Sequence, residues 1–172
     1  SSLPLGITMV LPDGREWVHA RNGGTAMIAG RLYQAATGAF ALSDTAYAKA
    51  LVPTADYAVG ATTVSFTAGG TTEVTTDRFQ DGFLVIASST GTGIGYAYKV
   101  KSNGSAATGA GCTVTLYETD GLKVATNSAS TRFGIVENKY SLVEVTLAST
   151  VGHPIAGVAC NSAAASAYVW LQ

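Results

Sequence analysis

Two histidines, eleven carboxylates and two cysteines are the residues of this 172-residue chain with the chemistry to do more than fold. A histidine titrates near neutrality, but catalysis needs a partner beside it. His19 sits in a strand-like run next to Trp17, and His153 precedes Pro154. Nothing in the spacing brings either near an Asp or a reactive Ser. The chain carries no Gly-x-Ser-x-Gly elbow, His-Glu-x-x-His or Cys-x-x-Cys. Asp13, Asp81 and Asp120 each precede a glycine and read as turn residues, and Asp44 reads as a helix cap. Glu73, Glu118, Glu137 and Glu144 are isolated charges on or beside strands. A carboxylate pair of the glycosidase kind is the one enzymatic arrangement that spacing leaves open. Cys112 and Cys160 read as free, buried thiols, with a disulfide as the alternative. Asn103-Gly104-Ser105 matches a glycosylation acceptor but reads as a plain loop. The run Gly91-Thr92-Gly93-Ile94-Gly95 leads into a strand, not a helix, so it offers no helix N-terminus to a phosphate. No catalytic, cofactor or metal residue is assigned, and no small-molecule substrate is expected.

The aromatic residues leave two readings. Tyr33, Tyr96, Tyr98, Tyr117, Tyr168 and Trp170 suit a core or a protein interface, or else a sugar platform.

Composition narrows the class. Charged residues make up 12% of the chain and hydrophobic ones 47%. The usual charged share is about 25%, so much of the surface is expected to be covered by neighbours. Net charge is −1 and no basic run exists, which argues against a nucleic-acid partner. No apolar stretch reaches the roughly 20 residues of a membrane helix. The start, Ser1-Ser2-Leu3-Pro4, lacks the pattern of a signal peptide.

The elements that would position these residues are short strands. Residues 7–11 and 16–20 flank Pro12-Asp13-Gly14-Arg15, the sharpest hairpin signal in the chain. Further strands are expected at 25–29 and 31–34 around Gly30, and at 61–68, 72–76, 83–87, 96–100 and 112–118. Others follow at 122–125, 132–136, 142–147, 155–159 and 168–171. Residues 46–51 predict one or two helical turns stopped by Pro53, or else a loop. About a dozen strands between Gly, Asn and Asp turns predict an all-β antiparallel sandwich or barrel-like domain with an extended N-terminal arm. The division expected is 1–20 as arm and hairpin and 21–172 as the β domain, with a possible joint near 102–111. No internal repeat stands out.

Several segments, in consistent order, resemble the small capsid decoration, or cement, proteins of tailed phages, marine ones among them. They are Leu5-Gly6, Asp13-Gly14-Arg15-Glu16-Trp17-Val18-His19-Ala20 and Ala29-Gly30-Arg31-Leu32-Tyr33-Gln34. Asp81-Gly82-Phe83-Leu84-Val85 follows, with Asp81 where the family pattern has glycine. Then come Gly93-Ile94-Gly95-Tyr96-Ala97-Tyr98-Lys99-Val100, the strand 112–118, and Tyr168-Val169-Trp170-Leu171-Gln172. The resemblance implies a virion structural protein, made in the host cytoplasm. It would sit on the outer capsid surface as a homotrimer and clamp neighbouring capsomers of the major capsid protein. On this reading Leu3, Leu5, Ile7, Arg15, Trp17, Tyr33, Tyr96, Tyr98 and Trp170 are the expected interface residues, with core packing an equal alternative for Trp17. The arm at residues 1–8 is expected to add a strand to a neighbour. The rival functional reading is a phage tail or fibre module that binds a host glycan.

Overall fold

The computed structural model describes residues 3–35, 50–69, 73–88, 93–146 and 153–172. Strands account for 43% of it and helix for 1%, in three antiparallel sheets, so the fold is all-β. The expected helix over 46–51 falls mainly outside the described residues. Its described end is extended, since Leu51 makes a β-bridge to Phe133.

The chain divides into two compact units, residues 1–41 with 138–172, and residues 42–137. These boundaries differ from the expected 1–20 and 21–172. The hairpin packs with residues 138–172, and the second unit is inserted between. Residues 102–111 are no joint. They lie inside the inserted unit, where Ala106 bridges to Val74.

In the inserted unit, β4 (Thr63–Thr67), β5 (Phe83–Ser88), β6 (Ala97–Asn103), β7 (Gly111–Leu116) and β8 (Arg132–Val136) form one sheet in the order β4-β7-β6-β5-β8. Alternation decides which side is buried. Val64 and Phe66 turn inward while Thr63 and Thr67 stay exposed; Tyr98, Val100, Cys112, Val114, Phe133 and Ile135 join the same core. The two edges are joined by one segment. Leu51 exchanges hydrogen bonds with Phe133 of β8, while the Thr54 amide donates to Ser65 of β4 and the Thr67 amide to Val52. The ring of main-chain bonds therefore closes into a small barrel, which removes both free edges. Among the described residues a single 3-10 turn spans Glu118–Asp120.

The discontinuous unit holds β1 (Thr8–Val10), β2 (Glu16–Arg21), β3 (Leu32–Gln34), β9 (Glu144–Val145), β10 (Ile155–Val158) and β11 (Tyr168–Leu171). Its sheets run β1-β2-β11 and β10-β3-β9. Isolated bridges Ala159–Leu171 and Asn22–Val143 tie the two together at both sides. Ala20, Met27, Tyr33, Val143, Ala159 and Leu171 fill the interior. β1 lies outside this ring and, among the described residues, is paired to β2 alone.

A repeat absent from the sequence reading appears here. Turns closed by bonds from Ile7 to Pro4, Ala61 to Ala58, Tyr96 to Gly93, Ala110 to Ala107 and Ala167 to Ala164 each lead into a strand, the second after one further residue and the others directly. The third residue of each has positive φ: Gly6, Gly60, Gly95, Gly109 and, without a glycine, Ser166 at 61°. This is type II geometry, which disfavours any side chain there. Several expected strands shrink to single bridges or disappear. Residues 25–29 contribute only the Met27 bridge, the described residues 73–76 of the run 72–76 only the Val74 bridge, and 122–125 no strand.

Candidate binding interface

The three-stranded sheet β1-β2-β11 has two unlike faces. Register places Met9 opposite Trp17, and His19 opposite Trp170, with Tyr168 opposite Arg21. Alternation then puts Ala20, Val169 and Leu171 on the inner face, against the core. Met9, Trp17, His19, Arg21, Tyr168 and Trp170 share the outer face.

That face is mostly apolar and aromatic. The Tyr168 ring stacks on His19 at 5.4 Å with 10° between planes, and Trp170 lies 5.3 Å away at 50°. These rings hold His19 at 6% exposure, and its Nδ1 lies 3.2 Å from the Pro4 carbonyl oxygen. The lead-in is thereby pinned to β2; the Gly6 amide also donates to His19, and Asn138 Nδ2 donates to the Leu5 carbonyl. Around this cluster Leu3, Ile7, Met9 and Tyr168 stand 40–51% exposed. The Trp17 indole nitrogen and Arg21 Nε are buried without a hydrogen-bond partner. At the hairpin tip Arg15 pairs with Asp13 at 2.7 Å. That hydrogen bond holds the Asp13 carboxyl below the usual carboxylate range.

The expected interface residues separate cleanly. Leu3, Ile7, Arg15, Trp17 and Trp170 belong to this sheet, its lead-in or its hairpin. Leu5, Tyr33 and Tyr98 are corrections, because each is buried at 3% exposure or less and has no surface to offer. The Tyr33 hydroxyl accepts from the Ile28 amide and the Tyr98 hydroxyl from the Lys123 amide, so both are anchored core residues. Tyr96 was expected within the strand at 96–100. It falls instead in the turn before β6, exposed, its ring stacked on Tyr98 at 6.3 Å. The extended donor arm is also corrected, since residues 4–7 fold back in a turn and bond to β2 of their own unit. His19 and Met9 were missed, and Tyr168 had been weighed only as a core, interface or sugar-platform aromatic. The period-2 pattern on β2 hinted at His19, but the β2–β11 pairing spans about 150 residues and leaves no local signal.

Several polar groups of the inserted barrel have structural partners, while Gln80 Oε1 and Thr126 Oγ1 are buried without one. The Tyr117 hydroxyl donates to Asp81 at 2.6 Å, and Arg78 pairs with Glu137 at 2.6 Å. Burial, with the Asp81 bond adding to it, pushes the Tyr117 hydroxyl up to about 12. The buried Asn103 amide accepts from Phe79 and donates to Thr75 and Gly104, which leaves it closed to a glycosyl group. Asn103 ends β6 and is not a loop residue. Both cysteines are free, and burial raises Cys112 to about 11. Among the described residues no three His, Cys, Asp or Glu gather as a metal site. No family model, curated protein or solved structure matches the chain.

Proposed function

We propose that this chain is a structural protein that works by being packed against other proteins, with no chemistry of its own. The observation that carries this reading is the outer face of β1-β2-β11. There a stacked His19–Tyr168–Trp170 cluster is ringed by exposed Leu3, Ile7 and Met9, beside an indole N–H with no partner. Aromatic and Met side chains are enriched in interface cores, and Trp and Tyr supply most of the energy there. Low charge supports the same reading, since a covered surface needs little of it.

The resemblance to phage decoration proteins adds the partner. The chain cements neighbouring capsomers of the major capsid protein, as a homotrimer on the outside of the shell. Mass spectrometry of gradient-purified particles from the phage that carries the gene tests this. The chain is expected in copy numbers comparable to the coat protein, and its absence from particles overturns the capsid reading. Sedimentation of the pure protein at micromolar concentration tests the trimer, which a stable monomer that binds no shells overturns. If glycan arrays bind the chain and lose it on Tyr168→Ala, the face is a sugar site of a tail module instead.

A further inference from the structure

The free groups along β1 belong to the backbone. Met9 faces Trp17, with Thr8 opposite Val18 and Val10 opposite Glu16. On either side of Met9, the His19 amide donates to Ile7 at 3.0 Å and the Leu11 amide to Arg15 at 2.8 Å. Bonded positions alternate along an antiparallel ladder. The Ile7 C=O, the Met9 N–H and C=O and the Leu11 N–H therefore face β2 and its hairpin, and Thr8 and Val10 direct their groups away. β1 ends its sheet, and all three of its residues are exposed. Among the described residues nothing pairs with the outward groups of Thr8 and Val10.

Natural sheet edges are normally blunted by a charge, a proline, a bulge or a covering element. Among the described residues this edge carries none of these, and it is blunted only by its shortness, three residues. Residues 3–11 contain no Asp, Glu, Lys or Arg, β1 itself has no proline, and its register with β2 runs without a shift. The other strands of this unit are spared the problem because their ring closes.

We propose that the β1 edge receives an extended segment of another protein, which adds to β1-β2-β11 as a fourth strand. The chemistry of the edge defines that segment. It supplies main-chain donors and acceptors to Thr8 and Val10, and carries uncharged, partly apolar side chains where it pairs. On one face its side chains continue the Ile7–Met9–Trp17 surface, and on the other they lie beside Val10, itself 63% exposed. The occupant is a flexible tail or loop and not a second copy of this chain. Three paired residues span only about 10 Å of edge. Two folded copies meeting there would bury far less than the roughly 800 Å² per partner that a stable interface needs. A flexible segment can run on across the neighbouring apolar face and gain the rest. The roles expected from the sequence are thus reversed, because the N-terminal stretch accepts a strand and does not donate one. The inference is separate from the capsid assignment, since any partner with such a segment satisfies it.

The test is a titration of the ¹⁵N-labelled full chain with a peptide of three Thr-Val repeats, with lysines outside the paired stretch for solubility. Shifts are expected at Thr8, Val10 and their neighbours on β2, with amide exchange at Thr8 and Val10 slowed about tenfold or more. The same peptide N-methylated at alternate residues should lose the effect, as should Val10→Pro, which removes an outward N–H. Should Val10→Pro fail to fold, Val10→Lys places a charge on the edge while keeping the backbone. No shift at β1, or equal binding of the methylated peptide, overturns the proposal. Concentration-dependent protection of Thr8 and Val10 without peptide also overturns it, in favour of pairing between copies.

Discussion

Cys112 and Cys160 show how environment separates two identical side chains. Cys112 lies in the barrel core, where burial raises its thiol to about 11, whereas Cys160 is half-buried near Gln172. A thiol reagent at pH 8 should therefore label Cys160 in the native protein and reach Cys112 only on unfolding, as peptide mapping of the adducts would show. Equal labelling would mean that the barrel opens readily. The same raised values set a pH dependence. Between about 9 and 11 the folded state keeps the Cys112 proton that the unfolded chain gives up, and Tyr117 does the same between about 10 and 12. The unfolded state then binds fewer protons, so stability falls as pH rises through this window. Thermal melts from pH 8 to 11.5 should show that decline, and Tyr117→Phe should flatten its upper part.

At the scale of elements, three Asp-Gly pairs look alike in the sequence and differ in the fold. Gly14 uses positive φ in the first hairpin, with open space around it. At the second pair the positive φ belongs to Asp81, and Gly82 is required for room, since a Cβ there would overlap the Val136 carbonyl oxygen. Gly121 packs against the Gly60 main chain, where a Cβ would lie 2.7 Å from the carbonyl oxygen. Gly82→Ala should consequently destabilise the protein more than Gly60→Ala. At Gly60 nothing lies within 4 Å and only the φ of 86° is penalised, by about 1 kcal/mol. Ser166 holds the same place in the last turn at 61°, so Ser166→Gly should stabilise by about 0.5 kcal/mol once glycine's extra chain entropy is offset. Denaturant midpoints of the three variants check the order. Strand identity in runs such as 63–67 was legible because strict alternation matches a half-buried strand. The turn–strand repeat was not, because Ala, Gly, Thr and Ser at its positions are common throughout the chain.

For the whole molecule, the two units differ in how they close. The inserted barrel closes its ring with bonds among its own residues, from Leu51 at one end to β8 at the other. Residues 50–137 expressed alone should therefore fold cooperatively, with a β-type circular dichroism spectrum and dispersed amide signals. A random-coil spectrum would show that closure is not enough. The discontinuous unit depends on strands from both ends of the chain, since β2 pairs with β11. Truncation before Tyr168 should unfold it, and with it the aromatic face on which the proposed function rests.

The amino-acid sequence alone determined the all-β class, the first hairpin and the scarcity of recognisable chemistry. Those follow from local periodicity, turn residues and composition, which act over a few residues. The tertiary structure decided the nesting of one unit within the other, the closure of each ring through single bridges, and the burial of Leu5, Tyr33 and Tyr98 beside the exposure of Met9 and Tyr168. An aromatic residue on a strand is equally suited to a core and to an interface. Only the pairing of strands far apart in the chain determines which face meets the core, and no short-range signal encodes that pairing.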